Sequence, residues 1–99
     1  MRLRRIVKAE IPKLRKILEK KLKQYGYTPV MGQHYIWAEG TLPVVLVAHM
    51  DTVHPAPPDQ IFYDPKKRVM WSPQGLGADD RAGVWAILCL LLGGYRPHV

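Results

Sequence analysis

Two apolar segments of different periodicity constrain the fold of this 99-residue chain more than any other feature. Residues 43–48 form an uninterrupted apolar run of strand length, which predicts a strand buried on both faces. Residues 80–92 carry apolar side chains at helical spacing on nearly every side, which predicts a buried helix. Because both elements need cover, they predict an α/β fold with helices packed on a sheet. We expect a single domain over residues 1–99.

The N-terminal region is basic and predicts an amphipathic helix. Most of the net charge of +7 comes from lysines and arginines in residues 2–23. Pro12 suits the first turn of a helix and Gly26 suits its C-terminus, and apolar residues recur between them at helical spacing: Leu14, Ile17, Leu18, Leu22 and Tyr25. We interpret the basic residues as a solvated helix face, with phosphate binding as the alternative. Because no aromatic residue interleaves them before Tyr25, the pattern argues against nucleic-acid binding.

Two hairpins are predicted in the middle of the chain. Residues 34–38 are rich in aromatic and β-branched side chains, and a Glu39-Gly40 turn separates them from the apolar run. Residues 60–63 and 68–71 flank a second turn that begins with Asp64 and Pro65. We therefore expect residues 34–38 to pair with residues 44–48, and the other two segments to form a smaller hairpin.

Other sequence features bear on the cellular compartment. Cys89 is the only cysteine, and its position in an apolar run predicts a buried, reduced thiol, as expected of a cytoplasmic protein. The longest apolar run, residues 84–92, is much shorter than the roughly 20 residues that span a bilayer. No signal peptide is evident behind the first basic residues. We expect a soluble cytoplasmic protein without a membrane partner.

The end of the apolar strand carries the first candidate site. His49 and Asp51 follow the strand directly, and side chains two residues apart in an extended segment point to the same side. A neutral imidazole binds zinc through one nitrogen, while a carboxylate accepts the N–H of the other and fixes the tautomer. The pair therefore predicts a metal ligand with its orienting acid, and a turn stabilised by an aspartate hydrogen bond is the alternative.

The start of the apolar helix carries the second candidate site. Asp79 and Asp80 are adjacent there, between Gly77 and Gly83. The simplest interpretation is a helix-capping aspartate with a first-turn acid favoured by the helix dipole. That interpretation leaves the glycines unexplained, since glycines on both sides indicate close backbone approach or unusual backbone dihedrals around the acids. A carboxylate that bridges two metal ions is one use of such a site.

Taken in order, these motifs resemble a known enzyme family. The apolar strand followed by His49-Met50-Asp51-Thr52-Val53, a small hairpin, and Gly77-Ala78-Asp79-Asp80 before an apolar helix resemble the co-catalytic zinc exopeptidases related to the M20, M28 and M42 peptidases. Residues 76–88 are most similar to the tripeptidase T and carboxypeptidase G2 branch. The resemblance covers nearly the whole chain. It implies the N-terminal portion of a three-layer α/β/α catalytic domain with a mixed sheet, so we expect an incomplete segment of that domain.

The resemblance also implies roles for individual residues. His49 would bind one zinc ion, Asp51 would be the catalytic residue that orients a zinc ligand, and Asp79 would bridge two zinc ions, with cobalt or manganese as alternative metals. Because each motif puts its polar end at the same edge of the sheet, we expect His49 and Asp79 to lie close enough to share one site. Asp80 would follow Asp79 across a cis peptide bond. Three further histidines match no ligand position: His34, His54 and His98.

Part of the family's catalytic set has no counterpart in the chain. The family's general base is a glutamate of a Glu-Glu pair after the buried helix, whereas the only glutamates here are Glu10, Glu19 and Glu39. We therefore expect a metallopeptidase fragment that hydrolyses short peptides when a complementing polypeptide or a homo-oligomer supplies the missing groups. The alternative is a non-catalytic, truncated binding or regulatory module whose basic face binds an acidic partner.

Overall fold

The computed structural model describes residues 2–99, which hold three helices and six short strands. In chain order these are α1 (Leu3–Lys8), α2 (Ile11–Gln24), β1 (Val30–Met31), β2 (Ile36–Trp37), β3 (Leu42–Val45), β4 (Phe62–Asp64), β5 (Val69–Trp71), α3 (Ala78–Leu92) and β6 (Pro97–His98). The chain is a small mixed helix-and-strand domain, consistent with the predicted α/β class. Within the described residues no sheet has more than two strands, so the three-layer arrangement stays a prediction.

Helix α2 spans the predicted amphipathic segment. Pro12 lies in its first turn, where a missing N–H costs nothing. At the other end Gly26 adopts a φ of 89°, and the N–H of Tyr27 donates to the carbonyl oxygen of Leu22 at 2.9 Å. This is the hydrogen-bond pattern that follows a left-handed glycine at a helix end. The apolar face of the helix is buried through Leu14, Ile17 and Leu22.

Helix α1 precedes α2 and packs against α3. Ile6 and Val7 are buried, whereas Arg4, Arg5 and Lys8 are exposed. The sequence analysis did not predict this helix, because its six residues are too few for a helical period to stand out.

The pairing of the strands differs from the predicted one. β2 pairs with β1 in antiparallel orientation and β3 pairs with β6 in parallel, so the predicted hairpin between residues 34–38 and 44–48 is wrong. β6 lies between these segments instead. Ala38 and Val99 exchange backbone hydrogen bonds of 2.8 and 2.9 Å, and the N–H of Leu46 donates to the carbonyl oxygen of His98 at 2.8 Å. The C-terminal segment, distant in sequence, therefore pairs with β3 and also bonds to Ala38, the residue after β2.

The smaller predicted hairpin is confirmed. β4 and β5 pair in antiparallel orientation with Phe62 opposite Trp71, and the centroids of their stacked rings are 5.6 Å apart. At the turn, the carboxylate of Asp64 accepts hydrogen bonds from the backbone N–H groups of Lys66 and Lys67 at 2.9 and 3.2 Å. Such a turn depends on neighbouring residues alone, so the local sequence is enough to predict it.

The apolar strand β3 is exposed, contrary to the prediction of a strand buried on both faces. All four of its residues are exposed, and Val44 and Val45 keep 50% and 54% of their surface in contact with solvent. The reason is that no helix within residues 2–99 packs extensively against its faces, and β6 is its one strand partner there. Because strands of parallel sheets are normally covered on both faces, the described residues leave this strand without its usual cover.

Helix α3 is buried along one side only. Val84, Leu88 and Leu91 belong to the core, whereas Cys89 and Leu90 on the opposite side are exposed. The predicted burial of Cys89 is therefore wrong, and its free thiol is exposed. A helix that is apolar all round gives no sequence signal for which side faces the core.

Candidate functional site

The imidazole of His49 lies between two carboxylates at the end of the segment that follows β3. Its Nδ1 atom is 2.9 Å from the backbone oxygen of Asp51 and 3.2 Å from the Oδ1 atom of the same residue. Its Nε2 atom is 3.2 Å from Oδ1 of Asp79. The backbone N–H of His49 donates to Oδ2 of Asp80 at 3.4 Å. The two motifs that the sequence analysis selected are thus in direct contact, as predicted.

The two adjacent acids lie where α3 begins. Asp79 and Asp80 have non-helical backbone angles, and the peptide bond between them is cis, as the resemblance implied. The glycines beside them allow close approach, as predicted: Gly77 adopts a φ of 71°, and a Cβ atom added to Gly83 would collide with the carboxylate of Asp80. The absence of a side chain at Gly83 therefore leaves room for Asp80 beside the N–H of His49.

His49 and the two carboxylates beside its ring are open to solvent. The exposed fractions are 53% for His49, 78% for Asp51 and 95% for Asp79. Exposed pairs of this kind contribute little to stability, because water screens their attraction. The contacts therefore fit a role in binding or catalysis better than a role in stabilising the fold.

The surroundings of His49 favour its charged form. The carbonyl oxygen of Asp51 raises the pKa of His49 most, the hydrogen bond to Asp79 and the two carboxylate charges add to the rise, and partial desolvation opposes it. Both ring nitrogens face oxygen acceptors, whereas a neutral imidazole has one N–H. A metal ion at Nε2 can replace one of these protons, while Asp51 keeps the other on Nδ1.

The donor set fits part of one zinc site. Zinc–nitrogen and zinc–oxygen bonds of about 2.1 Å place two ligands of a tetrahedral ion roughly 3.4 Å apart, close to the 3.2 Å between His49 Nε2 and Asp79 Oδ1. Asp51 lies on the opposite side of the ring and cannot reach the same ion. Accordingly, residues 2–99 contain no group of three or more histidine, cysteine, aspartate or glutamate side chains arranged around one ion. The chain offers two ligands of a set that requires at least three.

Asp51 lines two cavities. The larger, of about 670 Å³, is lined by residues of α2, β2 and α3 and also by His49 and Asp51. The smaller, of about 390 Å³, is lined by Glu10, Asp51, His54 and the prolines of residues 55–58, among others. The predicted site therefore opens into concave surface, where ligands usually bind.

Arg81 is a site residue that the sequence analysis missed. It follows Asp80 directly, and its Nε–H donates to the carbonyl oxygen of Met50, between His49 and Asp51. One feature of the sequence could have indicated Arg81: after the two acids it is the single charged residue of an otherwise apolar helix. A charged side chain in such a helix needs a hydrogen-bonding partner if it is buried.

His98 and His54 contact residues outside the His49 cluster. The Nδ1 atom of His98 accepts the N–H of Gly40 at 2.9 Å, and its ring stacks on Trp37 with centroids 5.8 Å apart. The ring of His54 lies beside Gly75, where a Cβ atom would collide with it.

Comparisons with known proteins give no relative: no family model, no curated protein and no solved structure matches the chain. None of the helices in the described part has the length and apolar character needed to cross a bilayer.

Proposed function

We propose that this chain carries part of the active site of a zinc-dependent metallopeptidase, an aminopeptidase or tripeptidase that hydrolyses short peptides. The observation that carries the proposal is the His49 ring held between two acids, with Asp51 at Nδ1 and Asp79 at Nε2. The α/β/α fold of the co-catalytic zinc exopeptidases is part of the same proposal. It is supported by the apolar strand that leads to His49 and the apolar helix that begins at the acids.

Each residue has a separate task in this proposal. Asp51 keeps the proton on Nδ1, so that Nε2 is the nitrogen presented to zinc. Asp79 places one carboxylate oxygen beside Nε2, and at 95% exposure its other oxygen is accessible to a second ion. A zinc ion held by His49 and Asp79 would supply a Lewis acid for the scissile carbonyl and would lower the pKa of a bound water molecule. In this proposal further polypeptide supplies the glutamate that accepts the proton, because the described contacts of His49 are with aspartates and not with Glu10, Glu19 or Glu39.

Two features support completion of the site by further polypeptide. The first is the donor count, because His49 and Asp79 supply two ligands and zinc takes at least three. The second is β3, whose apolar side chains are exposed and whose second edge is unpaired in the described residues. A free, uncharged edge is a template for another strand. We propose that a complementing polypeptide pairs there, with a second copy of the chain as the alternative source.

Metal binding by the full-length chain tests the proposal. We expect weak binding of zinc by calorimetry, and of cobalt by its visible absorption, with no hydrolysis of di- or tripeptides by the chain alone. His49→Ala and Asp79→Asn should each weaken binding at least tenfold. The matched control is Asp59→Asn, an exposed acid outside the site. Binding that is unchanged in both site variants would contradict the proposal.

A non-catalytic module with a basic face is the second candidate. One observation favours it: four lysines lie on α2 at spacings of three or four residues and all are exposed, namely Lys13, Lys16, Lys20 and Lys23. Like charges at this spacing repel each other, and of the four only Lys23 has an acidic partner in the described residues, Glu19 at 3.0 Å. Such a surface attracts an acidic polypeptide. Salt-sensitive binding of polyglutamate that is lost in a Lys13→Glu, Lys20→Glu variant, together with indifference to zinc, would favour this function.

A further inference from the structure

Arg81 is the one buried charged side chain in the described residues, with 4% of its surface exposed. Its Nη1 group donates to the carbonyl oxygens of Ile6 and Ala9 at 2.8 and 2.7 Å. Its Nε–H donates to the carbonyl oxygen of Met50. The acceptors belong to two separate parts of the chain: the C-terminal end of α1 and the segment between His49 and Asp51.

The burial of this cation has a specific compensation. Desolvation lowers the pKa of Arg81 and the carboxylate charge of Asp51 opposes that shift. The carbonyl groups at the end of α1 have no partners within their own helix, so the guanidinium satisfies acceptors that would otherwise be buried and unbonded. Because the guanidinium donors form a rigid fork, lysine cannot reach all three acceptors at once.

The Met50 carbonyl belongs to the peptide group between Met50 and Asp51. The hydrogen bond from Arg81 to this carbonyl restricts the backbone rotations on either side of that peptide group, and so restricts how Asp51 lies relative to His49. Arg81 itself directly follows Asp79 and Asp80. One side chain therefore ties the strand end that carries His49 to the chain segment that carries Asp79.

We infer that Arg81 is a positioning residue that holds the His49–Asp51 segment against Asp79 and links this geometry to α1. Its effect on His49 is independent of any metal. Its effect on zinc affinity rests on the proposed function.

The chain contains a matched control in Arg96. Its Nε–H donates to the carbonyl oxygen of Tyr25 at 2.8 Å, and its Nη1 group donates to the carbonyl oxygens of Leu91 and Tyr95, also at 2.8 Å. It thus joins the ends of two helices through three backbone acceptors, as Arg81 does. It acts at the C-terminal end of α3, about 20 Å along the helix from the acids. Loss of either arginine removes the same kind of contact, but only one of the two contacts the site.

The experiment compares full-length wild-type protein with Arg81→Lys, Arg81→Met and Arg96→Lys by NMR at constant pH and without metal. In the wild type, the Nε–H of Arg81 should give a slowly exchanging resonance. This measurement tests the hydrogen bond without any substitution. In Arg81→Lys, the ring resonances of His49 and the amide resonances of residues 49–51 should shift, and amide exchange there should accelerate at least tenfold. Arg96→Lys should leave the resonances and amide exchange rates of residues 49–51 unchanged, even if it lowers Tm as much as Arg81→Lys does. Zinc affinity should fall at least fivefold in Arg81→Lys and stay unchanged in Arg96→Lys.

The outcomes separate this inference from the proposed function. A rapidly exchanging Nε–H of Arg81 in the wild type, or unchanged His49 resonances in a folded Arg81→Lys protein, would overturn the positioning role. If Arg81→Met does not fold, the Nε–H exchange of the wild type and the His49 resonances of Arg81→Lys still test the positioning role. If the wild type binds no zinc while the His49 resonances move as expected, the proposed function fails and the positioning role stands.

Discussion

The Nε2 atom of His49 lies 3.2 Å from Oδ1 of Asp79, a residue 30 positions away in the sequence. The Nδ1 atom of the same ring is 3.2 Å from Oδ1 of Asp51. The ring thereby connects the end of the segment after β3 with the beginning of α3. Because Asp79 is 95% exposed, this connection contributes little to folding, so its effect on folding and its effect on metal binding can be separated.

Asp79→Asn should leave the fold intact and weaken metal binding. The amide keeps the shape of the side chain but removes the charge that a metal ligand needs, and exposed substitutions change Tm by no more than about 4 °C in a chain of this size. Thermal unfolding followed by circular dichroism measures Tm, and cobalt titration measures the affinity for metal. A large fall in Tm would show that Asp79 serves the fold, which would remove the reason for assigning it to a site.

Gly83→Ala should destabilise the protein, although alanine is normally preferred over glycine within a helix. A Cβ atom at this position would collide with the carboxylate of Asp80, so the side chain of Asp80 has to leave the N–H of His49. Steric conflicts of this kind cost roughly 1–3 kcal/mol. Chemical denaturation measures the change.

Gly93→Ala is the control for that substitution. Gly93 has a φ of −72°, and its added Cβ atom would meet its nearest neighbour at 3.4 Å, an ordinary contact. This variant should be neutral or more stable by up to about 1 kcal/mol. Equal effects in the two variants would mean that contact with Asp80 does not determine the result at Gly83.

The features that the sequence predicted well depend on neighbouring residues. Helix α2 follows from one apolar stripe bounded by Pro12 and Gly26, and the β4–β5 turn follows from Asp64. The proximity of His49 to Asp79 is a longer-range prediction. It succeeded because each motif lies at the end of an apolar element, and those ends meet.

The features that the sequence did not predict depend on distant partners. Residues 34–38 and 44–48 have strand character, yet β6 separates them, and nothing in either segment specifies that partner. The exposure of Cys89 was missed because α3 is apolar all round and its pattern has no polar side. The contacts of Arg81 with Ile6 and Ala9 were missed because they need α1, which is too short to predict.

A second copy of the chain is the alternative partner for the β3 edge, and Val47→Lys should reduce that self-association without lowering Tm. Val47 follows β3 and is 84% exposed, so the substitution costs no core packing, while lysine next to an apolar edge disfavours pairing with another strand. Sedimentation velocity over a range of concentrations measures the association. Val53→Lys is the control, since Val53 is 94% exposed but lies eight positions beyond the end of β3, whereas Val47 lies two positions beyond it. Equal suppression by both variants would attribute the effect to added charge rather than to the β3 edge.

Tyr27→Phe should destabilise the protein through one lost hydrogen bond. The Tyr27 hydroxyl donates to the carbonyl oxygen of Pro97 at 2.6 Å, and the side chain is buried. Phenylalanine leaves that oxygen without a partner, at a cost of about 1–3 kcal/mol. Urea denaturation at pH 7 measures the change. Tyr63→Phe is the control, because Tyr63 is 50% exposed and should change stability by less than about 0.5 kcal/mol.

The same hydrogen bond predicts how stability changes in alkaline solution. Burial raises the pKa of Tyr27 above its ordinary value of 10.0, and the charge of Arg96 opposes the rise. A raised pKa means that the folded protein favours the protonated phenol, so the stabilisation is complete below pH 10 and is lost as pH rises through the folded-state value. The difference in unfolding free energy between wild type and Tyr27→Phe should therefore be constant from pH 7 to about 9.5 and shrink above that. Subtracting the variant removes the titration of lysines and other tyrosines, which both proteins share. A difference that stays constant to pH 11 would show that the phenol does not titrate differently in the folded and unfolded chains.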